Sequence, residues 1–333
     1  MRDFINYIHI NNFKSIRNLK LDDCRRINLF IGYPNVGKSN VLEALSLFTV
    51  PFLKENESLN RFIRTENKNE LFYNALDKFC CVDTNLDKAH LDITLLLSIF
   101  NKIDNCESKF QFSTNLTLRN IGEPASDLNK IQHNRVKRYI FNPANQWKST
   151  GEELLLPPFG ENIIDTLSYN ENVAGVKVWM KQEFAKYGLE YLLDKTSNSL
   201  KVQRRLGDDE VFQLPYSSIA DTLQRIIFYK TAVLSSKNAV LLFEEPEAHA
   251  FPPYIKIITQ DIIDSVDNQF FIVTHSPAIL NDFIEYADLR KEVAIYLFDY
   301  RDGQTTAERL SEEEVDKVYN YGEDLFFNLE SFL

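Results

Sequence analysis

Three short stretches of this 333-residue chain carry residue types that could handle a phosphate ester. The first is GYPNVGKS at 32–39, which fits G-x-x-x-x-G-K-[ST] through Gly32, Gly37, Lys38 and Ser39. Glycines at that spacing let backbone N–H groups curl around phosphates, the lysine amine reaches the outer phosphates, and the serine hydroxyl suits Mg²⁺. Asn35 inside the loop and Asn40 just after it are counted with this set. The second stretch is LLFEEPEAH at 241–249. Two adjacent carboxylates at the end of an apolar run repel each other and are costly to desolvate. Lys38 and a Mg²⁺ ion would supply the missing positive charge. Glu244 is then expected to hold the metal, directly or through water, and Glu245 to orient and deprotonate an attacking water. The third stretch, FIVTHS at 271–276, ends in polar Thr-His-Ser and carries His275, a donor for a terminal phosphate oxygen.

These residues need elements to position them. Residues 27–31 are an apolar run that ends at Gly32, and Val41, Leu42, Leu45 and Phe48 recur at helical spacing after the loop. Strand, glycine loop and helix are the context a phosphate-binding loop requires. Residues 239–243 are all apolar, as in a buried parallel strand. Between them and 269–276, Ile255, Ile258, Ile262 and Val266 share one helical face. That predicts a β-α-β unit with a right-handed crossover and both strands in one parallel sheet. Glu245 and His275 would then lie at carboxyl ends of strands, where α/β sheets bind ligands.

The intervening chain is read more coarsely. Residues 109–120 alternate like one antiparallel strand beside a β-rich segment, 161–193 look helical, and 198–215 resemble a hairpin turning near Gly207-Asp208. Trp179, Phe184, Tyr187 and Leu189 are expected in the core. No heptad pattern lasts three repeats. The final YGEDLFFNLESFL reads as a terminal helix on the core or a docking segment.

Bulk properties narrow the class. Net charge is −11 and charged residues are 26%, so general polyanion binding is disfavoured. DNA stays open as a partner but draws no support from the net charge. The basic clusters at 133–139 and 202–206 read as solvated surface. Four cysteines without metal-like spacing suit a reducing compartment. No signal peptide or membrane-length apolar run is visible, so the expected location is cytoplasmic, with no membrane association.

With those residues in view, the chain resembles the ABC-type ATPases of the SMC/RecF/OLD group. YIHINNFKSIRNL at 7–19 is similar to their opening strand-loop, GYPNVGKSN to their Walker A, LLFEEPEAH to their Walker B and D-loop, and FIVTHSP to their switch-histidine strand. EEPEAH is most similar to OLD-like ATPases of phage-defence systems, with Glu244 where other ABC proteins have Asp. The resemblance covers about residues 5–50 and 210–285. It implies an α/β P-loop head: a mixed sheet, an antiparallel β subdomain, helices on both faces, and a helical lobe inserted between Walker A and Walker B. The lobes would be 1–130, 131–215 and 216–333 of a single ATPase domain. It also implies ATP and Mg²⁺, and a homodimer sandwiching ATP between Lys38–Glu245 of one subunit and the signature slot of the other. Here that slot reads LPYSSIADTLQRIIFY, with Ser217 and Ser218 but no glycine. Ser218 and Asp221 read as a capping box. The Q-loop falls near 66–74, where no glutamine occurs.

Two rivals are weighed on the same residues. NKID at 101–104 matches a guanine-reading motif, but the D-x-x-G it needs is absent and it reads as a strand end. Residues 286–333 are too few for the Toprim nuclease that OLD proteins often carry. An ATP-gated scaffold that controls a separate effector nuclease is therefore the alternative to a self-sufficient ATPase in a DNA-related or anti-phage system.

Overall fold

The computed structural model describes residues 4–52, 59–66, 68–75, 79–92, 111–114, 117–120, 135–286, 289–321 and 324–332. The apolar run at 93–100 and NKID at 101–104 lie outside them. The chain divides into two compact units. The first holds residues 1–138, 238–245 and 269–333, and the second holds 139–237 and 246–268. The lobes drawn at 131–215 and 216–333 do not coincide with these units, because 216–237 and 246–268 belong with the inserted segment.

The first unit contains two sheets. One is antiparallel, in the order β2-β1-β4-β5-β6-β7, formed by β1 (Ile8–Phe13), β2 (Ile16–Leu21), β4 (Phe79–Thr84), β5 (Asp87–Asp92), β6 (Gln111–Thr114) and β7 (Thr117–Asn120). Residues 109–120 are thus not one strand. β6 and β7 are two strands paired antiparallel, with Thr114 opposite Thr117. The other sheet is mixed, in the order β15-β14-β3-β13-β12-β8. Its strands are β3 (Ile27–Gly32), β8 (Val136–Tyr139), β12 (Val240–Glu244), β13 (Gln269–Val273), β14 (Val293–Arg301) and β15 (Gln304–Arg309). β14, β3, β13 and β12 run parallel. Every residue of β3 and β13 is buried, which is why these runs carry no polar alternation. β14 and β15 form a hairpin that turns at Asp302 and Gly303, both at positive φ.

Helix α1 (Lys38–Leu45) follows β3 and buries Val41, Leu42 and Leu45. Phe48 is also buried, on the 3₁₀ turn that continues it. At the chain end, Leu325, Leu329 and Phe332 are buried and Phe327 is 88% exposed. Three of its apolar residues thus join the core, and its helix is only Leu329–Phe332.

The second unit contains α2 (Ile163–Tyr169), α3 (Ala174–Ala185), α4 (Asp221–Ser235), α5 (Pro252–Asp264) and a sheet β9-β10-β11. The sheet strands are β9 (Glu190–Asp194), β10 (Ser199–Arg205) and β11 (Val211–Pro215), with the last two paired as the expected hairpin. The helical reading of 161–193 fails at its end. Gly188 takes φ +65 and Leu189 N–H bonds back to Phe184 C=O, so the chain leaves α3 through a left-handed glycine and continues as β9. Phe184 is core, but Tyr187 is exposed and Trp179 and Leu189 are half-buried. In α5 Ile255, Ile258 and Ile262 are buried, whereas Val266 lies past the helix end and is exposed. No helix among the described residues is long and apolar enough to cross a membrane.

Candidate functional site

The carboxyl ends of β3, β12 and β13 bring the three chemical stretches together within the first unit. Gly32 ends β3 opposite Phe298 of β14. A Cβ at Gly32 would stand 2.4 Å from the Phe298 carbonyl oxygen, so no other residue lets the two strands pair this closely. Asn35 is exposed at φ +64. Gly37 takes φ +99 as the N-cap of α1, and a Cβ there would meet Thr305 Oγ1 at 2.0 Å. Ser15 and Thr305 share a hydroxyl hydrogen bond of 2.6 Å, and Asn40 Nδ2 donates to Ser15 Oγ at 2.7 Å. The Asn40 side chain therefore braces the loop from below.

Lys38 is only 4% exposed. Its Nζ donates to the carbonyls of Gly32 (2.8 Å) and Tyr33 (2.7 Å), curling the loop around the amine. Burial pushes the amine down to about 8, against the pull of Glu245 and Glu244. Ser39 Oγ donates to Glu244 Oε1 at 2.6 Å, a contact between residues 205 apart in the chain. The phosphate loop and the acid pair thus form one cluster.

The two glutamates differ sharply. Glu244 ends β12 with 21% of its side chain exposed, and Arg138 Nη2 donates to its Oε2 at 2.6 Å while Arg64 Nη2 donates to Oε1 at 3.1 Å. Burial pushes this carboxyl up, but Arg138, the Ser39 hydroxyl and Arg64 together outweigh it and hold the group below its ordinary value. Glu245 is the next residue, at φ +45, with its N–H bonded to Val273 C=O at 2.8 Å. A left-handed glutamate costs about 1–3 kcal/mol. The kink turns the second carboxylate away from the first and toward His275, whose Nε2 is 3.6 Å from Oε1. Burial, then the charge on Lys38, lower the imidazole, and Glu245 opposes them. That balance favours the neutral ring, which can both donate and accept.

Four charged residues that the motifs did not single out complete the cluster. Glu43, on α1, has 0% side-chain exposure and sits among Lys14, Arg64 Nε (2.8 Å) and Arg138 Nη1 (3.8 Å). Burial pushes the Lys14 amine down, with Glu43 opposing. Arg138 lies on β8 with a 1% exposed side chain, and its Nη1 donates to Phe62 C=O. Within the basic cluster at 133–139, Lys137 and Arg138 are therefore not solvated surface. Lys137 and Arg138 are buried in a strand, Arg138 because two carboxylates await it. A charge inside the apolar run VLEAL was the available signal: a buried Glu43 calls for a buried cation. Arg204 and Arg205, in contrast, are exposed as expected.

Ser217 and Ser218 belong to the second unit, exposed on a one-turn 3₁₀ segment, Tyr216–Ser218. The capping box is not formed. Ile219 and Ala220 are extended, so α4 starts at Asp221 with Ala220 as N-cap, and Asp221 accepts from Arg225 Nε at 2.9 Å instead.

Hard oxygen donors at Ser39 and Glu244 beside a glycine loop fit Mg²⁺ carried by a nucleotide triphosphate. Among the described residues no group of three or more His, Cys, Asp or Glu could enclose a metal alone. A cation here would share its coordination with phosphate oxygens and water.

No family model matches the chain. It is 45% identical to an uncharacterized protein of Methanocaldococcus jannaschii over 60 residues, which are 18% of this chain and 26% of that protein. It thus spans about a quarter of that relative's length. It is 21% identical to an ATP/GTP phosphatase of Helicobacter pylori over 374 aligned positions, covering 97% of this chain and 100% of that one. Among solved structures it is similar to an SMC head bound to the C-terminal winged-helix domain of ScpA (TM-score 0.57, 15% identity, 93% of this chain and 99% of the other). It is also similar to an SMC head with extended coiled coil, bound to the C-terminal domain of ScpA derived from Pyrococcus furiosus (TM-score 0.56, 13% identity, 96% and 100%). The SMC head of Thermotoga maritima matches with TM-score 0.50 and 11% identity, over 93% and 100%. The chain has the ABC-type ATPase fold of SMC head domains.

Proposed function

We propose that the protein is a Mg²⁺-dependent ATPase. The observation that carries this is the convergence of Lys38, Ser39, Glu244, Glu245 and His275, tied by the 2.6 Å Ser39–Glu244 contact. When bound, Mg²⁺ neutralises phosphate charge and orients the phosphates for in-line attack. Gly32, Asn35 and Gly37 shape the loop that takes the phosphates, and Lys38 offers its ammonium to the outer ones. Ser39 and Glu244 hold the cation. Glu245, half-exposed and turned off the β12 axis, accepts the proton of the attacking water. His275 donates to the terminal phosphate oxygen and steadies Glu245.

The working form is a homodimer with ATP between the Lys38–Glu245 set of one subunit and the Ser217–Ser218 segment of the other. Exposure of both serines and the absence of a side-chain cap on α4 support this, since uncapped N–H groups suit an anion. Resemblance of EEPEAH to OLD-like ATPases supports a place in a DNA-related or anti-phage system, in the cytoplasm. The similarity to heads crystallised with ScpA supports a protein partner, which in that setting would be a separate effector nuclease. Purified protein should release phosphate from ATP with Mg²⁺ and not with EDTA. Glu245→Gln should keep ATP and scatter light as a dimer, reversibly on removing nucleotide. Phosphate release by Glu245→Gln at the wild-type rate sinks the assignment of Glu245. A monomer at saturating Mg-ATP sinks the sandwich.

A further inference from the structure

Two guanidiniums reach one carboxylate, and they are built differently. Arg138 is rooted in strand β8 with a 1% exposed side chain. One of its amines holds Glu244 Oε2 at 2.6 Å, and the other is fixed by Phe62 C=O and lies 3.8 Å from Glu43. It cannot swing away without leaving buried Glu43 and Glu244 short of a cation, which is strongly disfavoured. Arg64 has a 67% exposed side chain on a segment without helix or strand. It shares Glu244 Oε1 with Ser39, at 3.1 Å, and its Nε also holds Glu43 at 2.8 Å. Its terminal amine can leave Glu244 while the Glu43 bond stays. An exposed ion pair resists such a change weakly.

We propose that these arginines act in opposite directions on cation binding. Arg138 is a positioning residue that locks Glu244 with Oε1 turned toward Ser39, and Arg64 is a displaceable counter-ion that competes with the incoming metal for that same oxygen. This rests on reading Ser39 and Glu244 as ligands of a nucleotide-bound cation. The carboxylate oxygens are already divided: among the described residues Oε2 accepts from Arg138, whereas Oε1 accepts from both the Ser39 hydroxyl and the exposed Arg64 guanidinium. A dication at Oε1 would repel a guanidinium 3.1 Å from the same atom. Arg64 therefore leaves as the cation enters.

The test is Mn²⁺ binding in place of Mg²⁺. Mn²⁺ is titrated into protein with a non-hydrolysable ATP analogue, free Mn²⁺ is counted by electron paramagnetic resonance, and analogue affinity is measured separately in EDTA. Arg64→Ala should tighten Mn²⁺ by about two- to fivefold, the worth of an exposed ion pair. Arg138→Met should weaken it by about 10–100-fold, as loss of an outer-shell partner does. Arg138→Lys should recover part of that loss, since it keeps the charge and loses the fork. Analogue affinity in EDTA should not change in Arg64→Ala. If Arg138→Met fails to fold, Arg138→Lys against Arg64→Ala carries the sign. Weaker Mn²⁺ binding in both arginine variants overturns the inference, as does a loss of metal-free analogue binding in Arg64→Ala. A wild-type protein that binds no analogue, with or without Mn²⁺, overturns the nucleotide reading itself.

Discussion

Glu244 and Glu245 are chemically identical neighbours in opposite surroundings. Glu244 is strand-end, mostly buried, and gripped by a serine and two arginines. Glu245 sits one residue later at positive φ, with 47% of its side chain exposed and its Oε1 3.6 Å from His275 Nε2. A carboxylate held by several donors is kept ionised and fixed, which suits a metal ligand. One with few partners keeps a basic lone pair available, which suits proton abstraction. The left-handed turn at 245 separates the two roles. It lets two adjacent acids face different partners rather than each other.

Substituting each glutamate in turn is the sharpest way to break that division. Glu245→Gln should lower turnover by about 10²–10⁴-fold and leave thermal stability unchanged. If Glu245→Gln also melts early, the outer acid is structural and the two are not distinct. The inner cluster should respond in the opposite sense, through stability. Glu43→Ala leaves Lys14, Arg64 and Arg138 facing one another around a buried gap, and should cost about 3–5 kcal/mol in a urea unfolding series. A loss within 0.5 kcal/mol, the usual size for a surface change, would show that the inner charges are solvated after all. Gly37→Ala comes next. Its φ of +99 and the 2.0 Å approach of Thr305 Oγ1 predict a loss of about 1–3 kcal/mol, and weaker nucleotide binding with it. Pairing it with Thr305→Ala should relieve the clash and recover part of the loss, leaving the backbone contribution.

The outer acid was legible in the sequence and the inner cluster was not. Lys38, Ser39, Glu244, Glu245 and His275 stand at the ends of apolar runs inside short motifs, so their convergence follows from strand order alone. The parallel pairing of β12 and β13 followed from two unbroken apolar runs with a helix between them, the hairpin at 198–215 from its turn near Gly207-Asp208, and the mixed sheet from the family resemblance. Arg138, Arg64 and Glu43 belong to no motif. Arg138 sits in HNRVKRY, where a buried and a solvated arginine look alike unless the opposing carboxylate is already known. The error at 218–221 has a different origin. Ser-x-x-Asp is a sound local signal, but the chain stays extended through Ala220, and tertiary placement of α4 overrode the local preference. Gly188 could have been read as a helix stop, since a glycine after an amphipathic run often takes φ > 0.

The smallest effect expected is also the one that links the two halves of the site. His275 is lowered first by burial and then by Lys38, while Glu245 raises it. Removing either charge should therefore move the imidazole in opposite directions. Lys38→Met raises its titration midpoint and Glu245→Gln lowers it further, both read from the ring proton shift by NMR. Because the folded-state value is depressed, the neutral ring's contribution to stability is complete above the free value of 6.5 and is lost as pH falls through the folded value. The loss should be slight, as 40% of the side chain is exposed and solvent screens such groups. Two variants that shift His275 the same way would mean that the ring responds to loop packing rather than to charge, and that the amine and the outer acid do not act on it as one electrostatic unit.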